Sequence, residues 1–138
     1  MGNLRDTNLT GQQCKSRAED LIQASIVEDF RNKYCLEHHN PRYCVFSVPN
    51  GGTRNKIEAM TLKATGLLAG VSDLIFIIDK VYFVELKTEI GTQSDKQKEF
   101  EQTVTNLGQE YIIIRSFNEY EQWLKKILNE QLNILLTK

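Results

Sequence analysis

Three charged residues fall where strand interiors rarely admit charge. Asp73 lies in Val71-Ser72-Asp73-Leu74, and Glu85 and Lys87 lie in Val84-Glu85-Leu86-Lys87, at the ends of runs whose other positions are apolar. Side chains alternate along a strand, so Glu85 and Lys87 share a face with Val81 and Phe83, apolar lower down and charged at its end. Two converging carboxylates can hold a hard divalent cation through oxygen ligands. With Mg2+ or Mn2+ between Asp73 and Glu85, a phosphodiester would be polarised and a bound water activated. Lys87 would then orient that water or offset developing negative charge. An isolated Glu-x-Lys triplet carries little weight by itself, because such residues are more often solvated strand-end charges.

Whether Asp73 joins the pair depends on strand register. Leu74–Ile78 and Val81–Leu86 read as a hairpin around Asp79-Lys80. A strict two-residue turn would pair Ile78 with Val81 and leave Asp73 on the wrong face. A three-residue turn would pair Ile77 with Val81 and set Asp73 opposite Glu85. The chemistry therefore predicts the longer turn or a bulge.

Two further polar residues stand on faces that should look inward. Ser16-x-x-Glu19 and Ser94-x-x-Gln97 are both capping boxes, in which the last residue reaches back to a helix-start amide. Glu19 also lies one turn before Ile22, Gln23 and Ile26, whereas Glu28 falls with Leu21 and Ser25 off that stripe. Gln97 shares the face of Phe100 and Val104, so it should look toward the sheet. Asn50, Gly51 and Gly52, with Arg54 and Lys63 around the following helix, could grip phosphates through backbone amides and cations, although ordinary surface charge explains them equally well. Gly51-Gly52 lacks the spacing of a Walker loop or a dinucleotide fingerprint, so no nucleotide cofactor is implied. Cys35, His38, His39 and Cys44 match no standard zinc-finger spacing.

The elements that must position these residues follow from periodicity and breakers. A polar stretch over residues 1–14 reads as a flexible arm, and residues 15–138 as one domain. Ile22, Ile26, Val27, Phe30 and Tyr34 make Ser16–Tyr34 an amphipathic helix. After Asn40-Pro41, Tyr43–Val48 reads as a strand, and Arg54–Thr65 as a helix stopped by Gly66. The hairpin strands should form the centre of the sheet. Ser94–Leu107, with Phe100, Val104 and Leu107 on one face, is the next helix; Tyr111–Arg115 is a buried strand, and Phe117 to about Leu136 a final helix. The order α-β-α-β-β-α-β-α specifies an α/β fold, a mixed sheet with flanking helices.

Composition sets the outer bounds. The 138 residues, 41% hydrophobic and 25% charged, suit one compact domain. Seventeen Lys and Arg against eighteen Asp and Glu leave a net charge of -1, so any nucleic-acid contact must come from a local basic face. No apolar run reaches the ~18–20 residues of a membrane span, and Met1–Gln13 is polar, which predicts a soluble, cytoplasmic protein. Cys14, Cys35 and Cys44, odd in number and without CxxC spacing, read as free buried thiols.

Taken together, the pieces resemble a known family. Glu19-x-x-x-Gln23, Pro49-Asn50-Gly51-Gly52 with Arg54, Glu58-Ala59, Leu62-Lys63, Gly66, Gly70-Val71-Ser72-Asp73-Leu74, Glu85-Leu86-Lys87 and Ser94-x-x-Gln97 resemble the virus-type replication-repair nuclease (VRR-NUC) domain of the PD-(D/E)xK superfamily. The resemblance runs from Glu19 to about Arg115, with Ser72 where the family usually has Pro. It implies a restriction-endonuclease-like fold and Mg2+- or Mn2+-dependent hydrolysis of DNA. Asp73, Glu85, the Leu86 carbonyl and Glu19 would be metal ligands, Lys87 catalytic, and Glu19 and Gln97 supporting site residues. For stand-alone members, typically encoded by phages or prophages, it implies a homodimer acting on branched or Holliday-junction DNA. A general or restriction-like duplex nuclease and a non-catalytic DNA-binding relative are the alternatives.

Overall fold

The computed structural model describes residues 16–49 and 55–137. The expected arm over residues 1–14, together with Cys14, Asn50, Gly51, Gly52 and Arg54, lies outside the described residues. The elements follow the predicted order: α1 (Arg17–Tyr34), β1 (Cys44–Ser47), α2 (Lys56–Ala64), β2 (Leu74–Ile77), β3 (Val81–Leu86), α3 (Asp95–Asn106), β4 (Glu110–Ile114) and α4 (Phe117–Leu136).

The four strands form one mixed sheet in the order β1-β2-β3-β4. β1 with β2 and β2 with β3 are antiparallel, whereas β4 joins β3 in parallel after the α3 crossover. The hairpin strands are central, as expected. Alternation sorts the sheet into two unlike faces. Val45, Leu74, Phe76, Tyr82, Val84, Leu86 and Ile114 point to one side and pack with Ile26 and Phe30 of α1 and Tyr120, Leu124 and Ile127 of α4. Phe30 meets Phe76 edge-on with ring centroids 4.8 Å apart, and Trp123 meets Phe76 and Tyr82 edge-on at 5.2 and 5.5 Å. Each large apolar side chain so enclosed contributes about 1.5–3 kcal/mol. The Tyr120 hydroxyl donates to Asp29 Oδ2 at 2.9 Å, tying α4 to α1.

The other face is thinner. α3 lays Phe100 against Phe83 at 5.4 Å and against Tyr111 at 6.2 Å, covering the β3–β4 side. Phe46 and Ile77 on the β1–β2 side remain partly exposed. Several details differ from the sequence reading. β4 is an edge strand in which only Ile114 is buried, because it is paired on the β3 side alone. Leu107 is exposed, since it is the C-cap of α3 and the helix that would carry it along the Phe100–Val104 stripe has already ended. Cys44 is exposed and Cys35 half-buried, because Cys44 faces away from the core on β1. Among the described residues no helix is long and apolar enough to cross a membrane.

The hairpin takes the longer turn. Ile77 pairs with Val81, and Leu74 with Val84. The turn is held at its far end by Ile78 N–H donating to Lys80 O at 3.1 Å and by the Tyr82 hydroxyl donating to Asp79 Oδ1 at 2.6 Å. Lys80 Nζ bridges to Glu110 Oε1 at 3.0 Å, joining the turn to the start of β4. Burial, and then the Asp79 carboxylate, push the Tyr82 phenol well above its ordinary range, so it stays a proton donor. Burial alone would raise Asp79, but the Tyr82 hydroxyl and surrounding amide donors outweigh it and hold the carboxylate below its usual value.

Tyr82→Phe should therefore cost about 1 kcal/mol in urea unfolding at pH 7, since the lost hydrogen bond is charge-assisted but only part-buried. Because the folded-state Asp79 is depressed, its contribution is complete above the ordinary carboxylate pKa and disappears as pH falls through the folded value. The difference between wild type and variant should accordingly close in acid.

Candidate active site

Continuing the β2–β3 pairing one step beyond Leu74↔Val84 brings Asp73 opposite Glu85. The contact is direct: the Leu86 amide donates to Asp73 Oδ2 at 2.8 Å, fastening the aspartate to the adjoining strand end. Asp73 keeps its carbonyl in the β1 ladder, accepting from Val48 N–H at 3.3 Å. Ser72, fully buried, donates its hydroxyl to Leu74 O at 3.2 Å and so closes the bend that leads into β2.

Glu85 and Lys87 are buried, at 1% and 5% exposure, even though both are ionisable. Their partners account for this. Lys87 Nζ lies 3.7 Å from Glu85 Oε1, and Gln97 Nε2 donates to the same oxygen at 2.7 Å. Gln97 also accepts from Ser94 N–H through Oε1 at 2.8 Å, so the capping role and the inward role coexist in one side chain. Glu19 is shared in the same way. Its Oε2 accepts from Ser16 N–H, and its Oε1 accepts from the Thr88 amide, each at 3.4 Å, the latter next to Lys87.

Gly70 allows α3 to come this close. It adopts φ +85°, and a Cβ there would collide with the backbone carbonyl of Lys96 and lie 2.9 Å from Gln97 N. The loop carrying Asp73 thus passes directly against the helical turn carrying Gln97.

The sheet end therefore gathers Asp73, Glu85, Lys87 and Gln97, with Glu19 one residue further along the chain path at Thr88. Lys63, exposed near the end of α2, is not tied into this group. α2 buries none of its side chains. Among the described residues no three His, Cys, Asp or Glu side chains gather closely enough to hold a metal by themselves. The donor set available is instead two carboxylates, with the Leu86 carbonyl between Glu85 and Lys87 on the chain. These are hard oxygen ligands, and by formal charge the two carboxylates exceed the one lysine by one. Such a set fits Mg2+ or Mn2+ in kind and charge.

Three nearby residues carried no site signal in the sequence analysis, or only a family signal. Tyr111 on β4 receives a hydrogen bond from Gln93 Nε2 at 3.2 Å; burial first, and the Glu85 carboxylate next, push its phenol well above the ordinary range, leaving it protonated. Gln23, one turn beyond Glu19, has its carboxamide oxygen buried without a hydrogen bond among the described residues. Arg115 reaches back to the chain just after Lys87. Only Gln23 was marked by the resemblance.

The chain thus has a mixed sheet with an Asp opposite a Glu-x-Lys and a strand end roofed by a helix. Solved structures share the fold. One, described as a VRR_NUC domain protein, superposes with a TM-score of 0.61 at 18% identity over 82% of this chain and 89% of that chain. Another, described as a VRR_NUC domain, gives 0.53 at 18% identity over 80% of this chain and 97% of that chain. At such identity the likeness is one of fold, and in fold the sequence resemblance holds. No protein-family model and no curated protein matches the sequence.

Two stability measurements test the site's construction. Gly70→Ala should cost about 2–4 kcal/mol, combining backbone strain with a backbone collision. Gly66→Ala, also at positive φ but with open space around it, should cost only about 1 kcal/mol. Lys87→Met in metal-free buffer should lose about 3–5 kcal/mol by removing the cation beside the buried Glu85 side chain, and adding Glu85→Gln should recover much of that.

Proposed function

We propose that this protein is a divalent-metal-dependent DNA endonuclease, with residues 15–138 forming one nuclease domain. The observation that carries the reading is the convergence of Asp73 with Glu85 through the three-residue turn, with Lys87 and Gln97 both on Glu85 Oε1. Asp73, Glu85 and the Leu86 carbonyl would hold Mg2+ or Mn2+, which supplies Lewis-acid polarisation of the phosphate and a water acidic enough to attack at neutral pH.

The chain's own groups do the rest. Lys87, a buried ammonium beside Glu85, places positive charge where the pentavalent phosphate gathers negative charge, and can donate to the attacking water's oxygen. Gln97 fixes Glu85 in one rotamer by donating to Oε1. Glu19 holds the Thr88 amide and so the chain beyond Lys87. Asn50, Gly51, Gly52, Arg54 and Lys63 serve as phosphate contacts along the DNA, Lys63 being exposed for such a role.

Branched or Holliday-junction DNA cut by a homodimer is the substrate and assembly we favour. A domain of this size offers little surface with which to enclose a duplex alone, and two copies would present paired sites to paired strands.

The test is cleavage of a labelled four-way junction and a sequence-matched linear duplex with Mn2+, Mg2+ or EDTA. Wild type should cut the junction preferentially and only with metal, and Lys87→Ala should lose about 10^2-fold or more. Equal cutting of duplex would leave a general duplex nuclease. No cutting, or cutting indifferent to Lys87, would leave a DNA-binding relative without catalysis.

A further inference from the structure

We infer that Arg115 is a positioning residue for the site, fixing the turn that holds Lys87 in place; the inference rests on the nuclease reading above. β3 ends at Leu86, and one more bond, Lys87 N–H to Ile114 O at 3.1 Å, extends its pairing with β4. Beyond it the chain leaves the sheet as Thr88-Glu89-Ile90-Gly91, closed by Gly91 N–H donating to Thr88 O at 3.2 Å.

This turn has little apolar burial to give it shape. Glu89 is exposed and Ile90 is 92% exposed, the most open of the large hydrophobic residues described. With apolar surface turned to water, order must come from hydrogen bonds. Arg115, directly after β4, provides them: Nη1 donates to Gly91 O at 2.7 Å and to Thr88 O at 2.8 Å, with Glu89 O at 3.4 Å. Three carbonyls of one turn thus converge on one guanidinium nitrogen. Arg115 is itself anchored, its backbone N–H donating to Glu119 Oε2 in the first turn of α4 at 2.7 Å.

The turn matters because of what it lies on. Gly91 rests against the lysine stem: a Cβ built on it would lie 3.5 Å from Lys87 Cδ and 3.0 Å from Thr88 Oγ1. Thr88, whose carbonyl Arg115 holds, offers its amide to Glu19. Arg115 therefore sets the wall that keeps the Lys87 ammonium at Glu85, and it steadies the Thr88–Glu19 link from the other side of the peptide. It does so without contacting the reacting atoms. A lysine could not substitute fully, because its ammonium sits one atom nearer the backbone than Nη1 and rides on a flexible stem.

The experiment uses the full chain as wild type, Arg115→Ala and Arg115→Lys, with two readouts. Amide hydrogen exchange on the metal-free protein should speed up over residues 88–91 in both variants while β2 and the body of β3 keep their protection. With Mn2+ and the DNA that wild type cuts, kcat should fall by about 10–100-fold in Arg115→Ala with KM unchanged, as for other residues that orient a site without entering it. Guanidinium added below denaturing concentration should restore part of that loss, and Arg115→Lys should fall between; should Arg115→Ala not fold, Arg115→Lys carries both readouts.

Unchanged exchange at 88–91, unchanged kcat, or a rise in KM alone, which would mark Arg115 as a phosphate contact, would each overturn the inference while leaving the nuclease reading intact. Wild type that cuts no DNA would overturn that reading and this one with it.

Discussion

Strand register governs everything at this sheet end. Shifting β2 by one residue against β3 would turn Leu74 and Phe76 out of the core and move Asp73 to the face of Val84 and Leu86. Apolar burial opposes that slip strongly, since both side chains are fully enclosed and each contributes about 1.5–3 kcal/mol. The same alternation that buries Leu74, Phe76, Tyr82, Val84 and Leu86 against α1 and α4 leaves Asp73, Glu85 and Lys87 no position but the opposite face. The core thus selects the geometry of the charged site. The Asp79–Tyr82 contact at the far end of the hairpin reinforces a choice whose chemical consequence appears at the near end.

Burying charge on the thin face requires compensation, and α3 provides it through its first turn. Ser94 N–H, a helix-start donor, needs an oxygen, while the Glu85 carboxylate needs a donor. Gln97 meets both only with its carboxamide oriented one way, Oε1 to Ser94 and Nε2 to Glu85, so the capping box also fixes the amide's orientation. Gly70 is the covalent counterpart of this arrangement. Its missing side chain lets the loop before Asp73 lie on the Lys96–Gln97 backbone, so that the two carboxylate-bearing segments and the helix roof meet within one small volume.

Much of this was legible in the sequence because it rests on short-range patterns. The helical stripe of Ile26 and Phe30, the apolar alternation of Val81–Leu86 and both capping boxes are local, and they gave the element order. The register was legible by a different route, since only one of two turn lengths lets Asp73 face Glu85, and that is the one found. What was not legible depends on neighbours distant in sequence. Tyr111-Ile112-Ile113-Ile114 is as apolar as a buried strand, yet nothing in it tells that β4 forms a sheet edge only partly roofed by α3. Leu107 continues the spacing of Phe100 and Val104, but the helix ends there and the side chain turns outward. Arg115 looks like the last residue of a strand. Its hydrogen bonds to carbonyls 24 to 27 residues earlier leave no local trace.

The site is assembled from many elements, each supplying one or two groups. β2 is preceded by Asp73, β3 brings Glu85 with Lys87 just beyond it, α3 brings Gln97, α1 brings Glu19, and the residue after β4 holds the turn beyond Lys87. Such a construction makes small demands on any one segment and strict demands on their relative placement. Most positions need only preserve apolar alternation and helix stripes, which many side chains satisfy equally well. This is a physical reason why the fold can persist at 18% identity in the VRR_NUC structures. For a protein built this way, an isolated Glu-x-Lys says little, and the informative quantity is whether the sheet's register and the helix cap bring the right partners to it.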